Sequence, residues 1–123
     1  MIFKEMKDTD LSRVLELEQA CFKQPWLEKD CLYELNENPF SHGWILEDED
    51  AIVGYAFLWE TFEMAQLARI GVDPNLRKRG YGKELMMHLF DRAREVACEF
   101  MTLAPSSMPA NNCIVLMHFN VLC

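Results

Sequence analysis

The chain has 123 residues, half of them hydrophobic and 26% charged, with 5 glycines and 5 prolines; this describes one domain able to bury a core and excludes disorder and collagen-like repetition. Its longest apolar run, residues 51–59, is too short to span a bilayer, and the opening MIFKEMKDTD lacks the apolar stretch of a secretory signal, so a cytoplasmic protein without a membrane partner is expected. The net charge of −8 is uneven: residues 1–73 carry −10, residues 77–83 (RKRGYGK) carry +4 and residues 84–123 carry −2. An acidic body excludes a general nucleic-acid binder and suits a cationic substrate, while the one basic patch suits a small anion held at a point.

Residues 1–6 alternate at Ile2, Lys4 and Met6 and predict a short strand. Asp8, Thr9 or Asp10 is placed to N-cap a helix with Leu11, Val14, Leu15, Leu17 and Cys21 on its apolar face. Pro25 and Trp26 interrupt it, and residues 27–36 predict a second helix with Cys31, Leu32 and Leu35 inward, ended by Asn36, Asn38 and Pro39. Residues 44–46 and 51–59 are apolar runs separated by Glu47, Asp48, Glu49 and Asp50, a solvated hairpin tip; the second run, apolar on both faces, predicts a central strand. Residues 64–72 predict a third apolar strand with Gln66 and Arg69 as polar exceptions, stopped by Asp73, Pro74 and Asn75. Residues 80–97 give the clearest helix, with Leu85, Met86, Leu89, Phe90, Ala93, Val96 and Ala97 on one face, and residues 99–103 follow as a strand. The order β-α-α-β-β-β-α-β indicates an α/β or α+β sandwich over a single domain, residues 1–123, in which residues 104–123 are an atypical tail without period or turn chemistry.

Five cysteines (Cys21, Cys31, Cys98, Cys113 and Cys123), odd in number and without CxxC spacing, support neither a disulfide framework nor zinc, and reduced core thiols are expected. His42, His88 and His118 lack metal-ligand spacing, so no metal is expected. Trp26, Trp44 and Trp59 are expected to be core or groove-lining aromatics.

The informative stretch is residues 70–83, IGVDPNLRKRGYGK. A strand ends, a turn follows, and Arg77, Lys78, Arg79 and Lys83 crowd the start of a helix, where partial positive charge and free N–H groups already favour anions. Only Asp73 and Glu84 are near in sequence to offset them. Gly80 and Gly82 allow close backbone approach, so the pattern fits a phosphate or pyrophosphate cradle, the bland alternative being a solvated basic turn. It is neither a Walker A loop nor the GxGxxG fingerprint.

Arg77-x-x-Gly80-x-Gly82 after a strand ending Ile70-Gly71-Val72-Asp73-Pro74 resembles the acetyl-CoA site of the GNAT N-acetyltransferases, and the likeness runs from about Ile2 to Leu103, including CFKQPWLEKD and GWILEDEDAIVGYAFLW. Within that superfamily it is most similar to the bacterial ribosomal-protein-alanine N-acetyltransferases. The resemblance implies a GNAT fold with a mixed central sheet flanked by helices. It also implies a cosubstrate, acetyl-CoA, and as acceptor a basic or neutral protein N-terminus such as that of a ribosomal protein. The backbone of Ile70, Gly71 and Val72 would bond the pantetheine arm beside a V-shaped split in the sheet. The N–H groups of Lys78, Arg79, Gly80, Tyr81, Gly82 and Lys83 would hold the pyrophosphate, with Arg77 at the family's Arg/Gln position and Tyr81 serving through its backbone only. A neutral amine would attack the thioester directly, its carbonyl polarised by a strand N–H and its proton taken by a base.

That base is not identified. Where the family continues Leu-Glu-Val-Arg, this chain has Leu103-Ala104-Pro105-Ser106, so Ala104 stands at the acid position. The family's Asn and Tyr positions fall on Pro109 and Leu116, or on Asn111 and His118 after a two-residue insertion. Glu60 and Glu63 are more readily solvated turn charges, but are the best remaining carboxylates to act through a water; Cys113 has no base beside it. The resemblance also implies that the terminal strands are missing, which exposes a sheet edge and invites dimerisation. The alternative is therefore a catalytically impaired CoA-binding remnant.

Overall fold

The structure, a computed structural model, describes residues 1–61, 64–76, 78–95, 100–103 and 121–122. In chain order they form β1 (Ile2–Glu5), a 3-10 turn (Asp8–Asp10), α1 (Leu11–Cys21), α2 (Glu28–Asn36), β2 (Ser41–Asp48), β3 (Ala51–Glu60), β4 (Met64–Val72), a second 3-10 turn (Pro74–Leu76), α3 (Tyr81–Glu95), β5 (Phe100–Leu103) and β6 (Val121–Leu122). The strands make one mixed sheet in sequence order, with β4–β5 parallel and every other pair antiparallel. The expected order of elements is present. β6 pairs with β5 through Phe100↔Leu122 and Met101↔Val121, so one short strand stands where the resemblance implied none; residues 104–120 and Cys123 lie outside the described residues.

Alternation along the strands divides the core in two. One side chain set, including Ile45, Tyr55, Phe57 and Ala68, packs under α1 and α2 with Val14, Leu17 and Cys31. The other, including Leu58, Leu67, Ile70 and Val72, packs under α3 with Leu85, Met86 and Leu89. Both faces of β3 are covered, which is why its sequence is apolar from Ala51 to Trp59.

Local differences have physical causes. No side chain caps α1; the 3-10 turn runs directly into it, and Asp10 instead accepts the Lys7 N–H at 2.9 Å. The hairpin turn is Glu49 and Asp50 alone, both at positive φ (52° and 65°), as a two-residue β-turn requires. Glu47 and Asp48 belong to β2 and are partnered, by Lys4 at 2.8 Å and by the Tyr81 hydroxyl at 2.6 Å, so only half of the acidic run is a free tip. On α2, Glu34 is buried where the pattern put only apolar residues inward; it accepts from Trp59 Nε1 and from Asn38 Nδ2. Cys21 and Cys31 are buried thiols as expected, while the other three cysteines lie outside the described residues.

Candidate functional site: a cationic helix start at the end of a bulged strand

The β3–β4 register shifts between Phe57↔Arg69 and Leu58↔Leu67, which leaves Ala68 as an extra residue on β4. Such a bulge bends its strand and sharpens the local twist. At the same level lies the last β4–β5 pair among the described residues, Leu67↔Leu103. Beyond that point β4 continues for five residues, with β3 on one side.

Backbone parity then decides what those residues present. Asp73 donates to the Val53 carbonyl at 2.9 Å, so in this antiparallel ladder Gly71 and Arg69 turn their N–H and C=O groups toward β3. Ile70 and Val72 therefore direct theirs to the opposite side, where described pairing with β5 has ended. Gly71 contributes by what it lacks: a Cβ there would lie 2.7 Å from the Tyr55 ring that crosses it. The Val72 carbonyl accepts from Cys21 Sγ at 3.3 Å.

The strand feeds a tightly built turn. Asp73 accepts from Arg13 Nη2 at 2.7 Å and from the Asn75 N–H at 2.9 Å, and its carbonyl accepts from Leu76 at 3.0 Å. Arg13 also donates to the Ile52 carbonyl, tying α1 to the turn. Lys78 then takes φ of 64°, a left-handed conformation that costs a side-chain-bearing residue roughly 1 kcal/mol or more. Gly80 follows at φ 80°, and a Cβ built on it meets nothing within 4 Å among the described residues. α3 begins at the next residue, with Glu84 N–H bonding back to the Gly80 carbonyl at 3.0 Å. The N–H groups of Tyr81, Gly82 and Lys83 thus belong to a first turn whose donors have no partner inside the helix.

Charge at this corner is unbalanced. Lys78, Arg79 and Lys83 are exposed and, among the described residues, form no ion pair. The nearby carboxylates are engaged elsewhere: Asp73 by Arg13 and Glu84 by His88 Nε2 at 3.2 Å. Nine of the ten residues expected to bind the cosubstrate therefore lie along one continuous path from Ile70 to Lys83; Arg77, the tenth, lies outside the described residues. An open space over Gly80, unneutralised cations and free first-turn donors fit a diphosphate. Sequence reasoning missed the Tyr81 hydroxyl, which holds Asp48 and whose ionisation that hydrogen bond pushes to higher pH. Its only sequence signal was a phenol between two glycines.

Glu60 is not a solvated charge. It is held by Arg92 (Nε to Oε2 2.9 Å, Nη2 to Oε1 3.2 Å) and by His42 Nε2 at 3.2 Å, and it raises the Arg92 pKa. It also sits at the far end of the sheet, opposite Ala65, whereas the cradle follows Val72. Glu63, Ala104, Pro109, Asn111, Cys113, Leu116 and His118 lie outside the described residues.

The fold is a mixed sheet flanked by helices, and the sequence profile of the acetyltransferase (GNAT) family matches residues 11–119; the chain belongs to that family. Among individual relatives it is similar to the ribosomal protein bS18-alanine N-acetyltransferase of Salmonella typhimurium, 30% identical over 86 residues, covering 70% of this chain and 57% of the relative. The crystal structure of the ribosomal-protein-S18-alanine N-acetyltransferase from Escherichia coli superposes with a TM-score of 0.75 at 24% identity, over 83% of this chain and 64% of that one. A GNAT-like decarboxylase in complex with isobutyryl-CoA gives 0.73 at 20% identity, over 82% and 64%. The chain thus spans about six-tenths of the length of these relatives.

Proposed function

We propose that this protein is an acetyl-CoA-dependent N-acetyltransferase acting on a protein N-terminal amine in the cytoplasm. One observation carries the reading: a strained Lys78 and a left-handed Gly80 set cations that form no ion pair among the described residues, together with first-turn helix N–H groups, at the end of β4 beyond the last described β4–β5 pair. In this reading Lys78, Arg79, Gly80, Tyr81, Gly82 and Lys83, with Arg77, hold the pyrophosphate. Ile70 and Val72 pair their outward backbone groups with the pantetheine arm, and Gly71 keeps its place in the ladder to β3. Acetyl-CoA supplies the acetyl group as an activated thioester. An N–H on the open side of β4 polarises its carbonyl, as an oxyanion-hole donor does. The acidic body, −10 over residues 1–73, draws a basic acceptor such as a ribosomal-protein N-terminus.

Saturating acetyl-CoA should stabilise the fold by mass action, by about 2.7 kcal/mol at 100 times Kd, and a basic peptide beginning with Ala should release CoA thiol above background. An unchanged Tm removes the cosubstrate reading; a raised Tm without turnover leaves the second reading, a CoA-binding remnant. Ala104 at the position of the expected acid is the observation that favours that second reading. Pairing of two copies through a sheet edge belongs to it, and sedimentation velocity reads it directly.

A further inference from the structure

In Gly80-Tyr81-Gly82 only the middle residue has a side chain with which to fix the start of α3. The Tyr81 ring is buried in the core cluster beneath α3, at 8% exposure. Its hydroxyl donates to Asp48 Oδ2 at 2.6 Å, across 33 residues, where β2 enters the hairpin turn. The hairpin is a firm anchor: its two-residue turn is set at positive φ, and β2 and β3 pair from Asp48↔Ala51 to Ser41↔Trp59 with one bulge, at Val53. Arg79 lies against the same hydroxyl and works against Asp48 on its ionisation, so the loop cation and the tether meet at one atom. The upstream end of the loop is fixed by a separate device, Asp73 with Arg13.

We propose that Tyr81 is a positioning residue for the cosubstrate: held by Asp48, it fixes the direction of the first-turn N–H groups of α3, and through it the β2–β3 hairpin takes part in holding the diphosphate. This rests on the cradle reading above and adds to it a role for the Tyr81 side chain, where the sequence assigned only its backbone. A hydrogen-bond donor aimed at an anion loses affinity when its direction relaxes, because the donors stay satisfied by water in the free protein and must be re-ordered on binding.

The test is a double-mutant cycle on the full chain with CoA as the probe, its affinity measured by calorimetry and the ligand-free Tm measured alongside. Tyr81→Phe keeps the ring and removes only the hydroxyl. It should weaken CoA binding by roughly tenfold in the natural background, the lower end of the worth of one charge-assisted hydrogen bond. In an Asp48→Ala background, where the tether is already gone, the same change should have no effect on affinity. The cycle cancels the separate effect of removing a negative charge near the anion. Equal affinities for Tyr81→Phe and its parent, or the same fold-loss in both backgrounds, would overturn the proposal. So would a ligand-free Tm that falls in step with the affinity, since Tyr81 would then serve the fold alone. If the unaltered chain does not bind CoA at all, the cradle reading itself fails, and this proposal with it.

Discussion

Arg69 of β4 and Glu18 of α1 form a buried pair across the sheet–helix boundary, with Nη2 to Oε1 at 2.9 Å and Nε to Oε2 at 3.1 Å. The carboxylate also accepts from the Tyr55 hydroxyl and from the Trp26 N–H at 2.7 Å, while Arg69 donates to the Gln24 carbonyl at 3.0 Å and stacks under Phe22. The pair thereby ties the connection between α1 and α2 to the strand that leads to the cradle. Arg69→Met should destabilise the fold by about 3–5 kcal/mol, because it strands a buried charge. Adding Glu18→Gln removes that charge while keeping an acceptor, so urea denaturation should show the double variant to be more stable than Arg69→Met alone. Equal stabilities would mean that packing around Phe22 and Trp26, not charge, dominates.

Glu60 offers a contrast between a structural and a chemical carboxylate. Its side chain is 9% exposed and bound by Arg92 through two hydrogen bonds. Glu60→Gln should lower stability by about 1–3 kcal/mol, the range for hydrogen bonds made to charged groups. Turnover per folded molecule should stay unchanged, because Glu60 is at the opposite end of β4 from the cradle. Initial rates corrected for the folded fraction check this; a drop in rate would return Glu60 to the list of proton acceptors.

The order of strands and helices was legible because the apolar periods are regular: β3 is apolar on both faces, and α3 repeats its stripe through Leu85, Met86, Leu89 and Ala93. The loop proposed as a cradle was legible too, as four cations and two glycines ahead of a strongly periodic helix. Polar pairing across long sequence separations was not. Arg69 registered only as an exception within an apolar strand, and Glu18 sits on a helix face that period alone places against the core; their meeting depends on tertiary geometry. The four acids after Leu46 misled for a related reason. A run of charge looks uniformly solvated until Lys4 and Tyr81 are brought to two of its members by the fold. The bulge at Ala68 has no sequence signature either, for it exists only relative to β3.

Burial sets the alkaline limit. Cys31 is fully buried, and desolvation pushes its thiol from the ordinary 9.0 to about 12. Burial, followed by the Glu18 charge, also raises the Tyr55 phenol well above its usual value. In both cases the folded state holds the proton more tightly than the unfolded chain. Their stabilising contribution is therefore complete below about pH 9 and is lost as pH rises toward the folded pKa values, at about 1.4 kcal/mol per pH unit for each group ionising only in the unfolded state. Denaturant midpoints measured from pH 8 to 11 should fall, and Cys31→Ala should make the decline shallower between pH 9 and 11. A parallel decline in that variant would remove Cys31 as a contributor. At pH 8 the same thiol should resist alkylation in the folded protein and react once it is unfolded.

Two glycines separate folding from binding. At Gly43 a Cβ would lie 2.8 Å from Leu35 Cδ2 and 3.0 Å from Met6 Cβ, in ordinary strand conformation, so Gly43→Ala should cost about 1–3 kcal/mol through overpacking between β2 and α2. Its affinity for acetyl-CoA, measured at a temperature where it is folded, should match the natural chain, because Gly43 pairs with Phe57 in the interior of the sheet rather than near α3. At Gly80 the reverse holds. Among the described residues no atom beyond its chain neighbours lies within 4 Å of a new Cβ, and the cost to the fold is that of the φ of 80°, roughly 1–2 kcal/mol for a residue with a side chain. That space is where the diphosphate is proposed to lie, so Gly80→Val should abolish the Tm increase given by acetyl-CoA while the ligand-free protein still melts cooperatively. Should Gly80→Val keep the full ligand-induced increase, the anion would have to sit elsewhere on the first turn of α3.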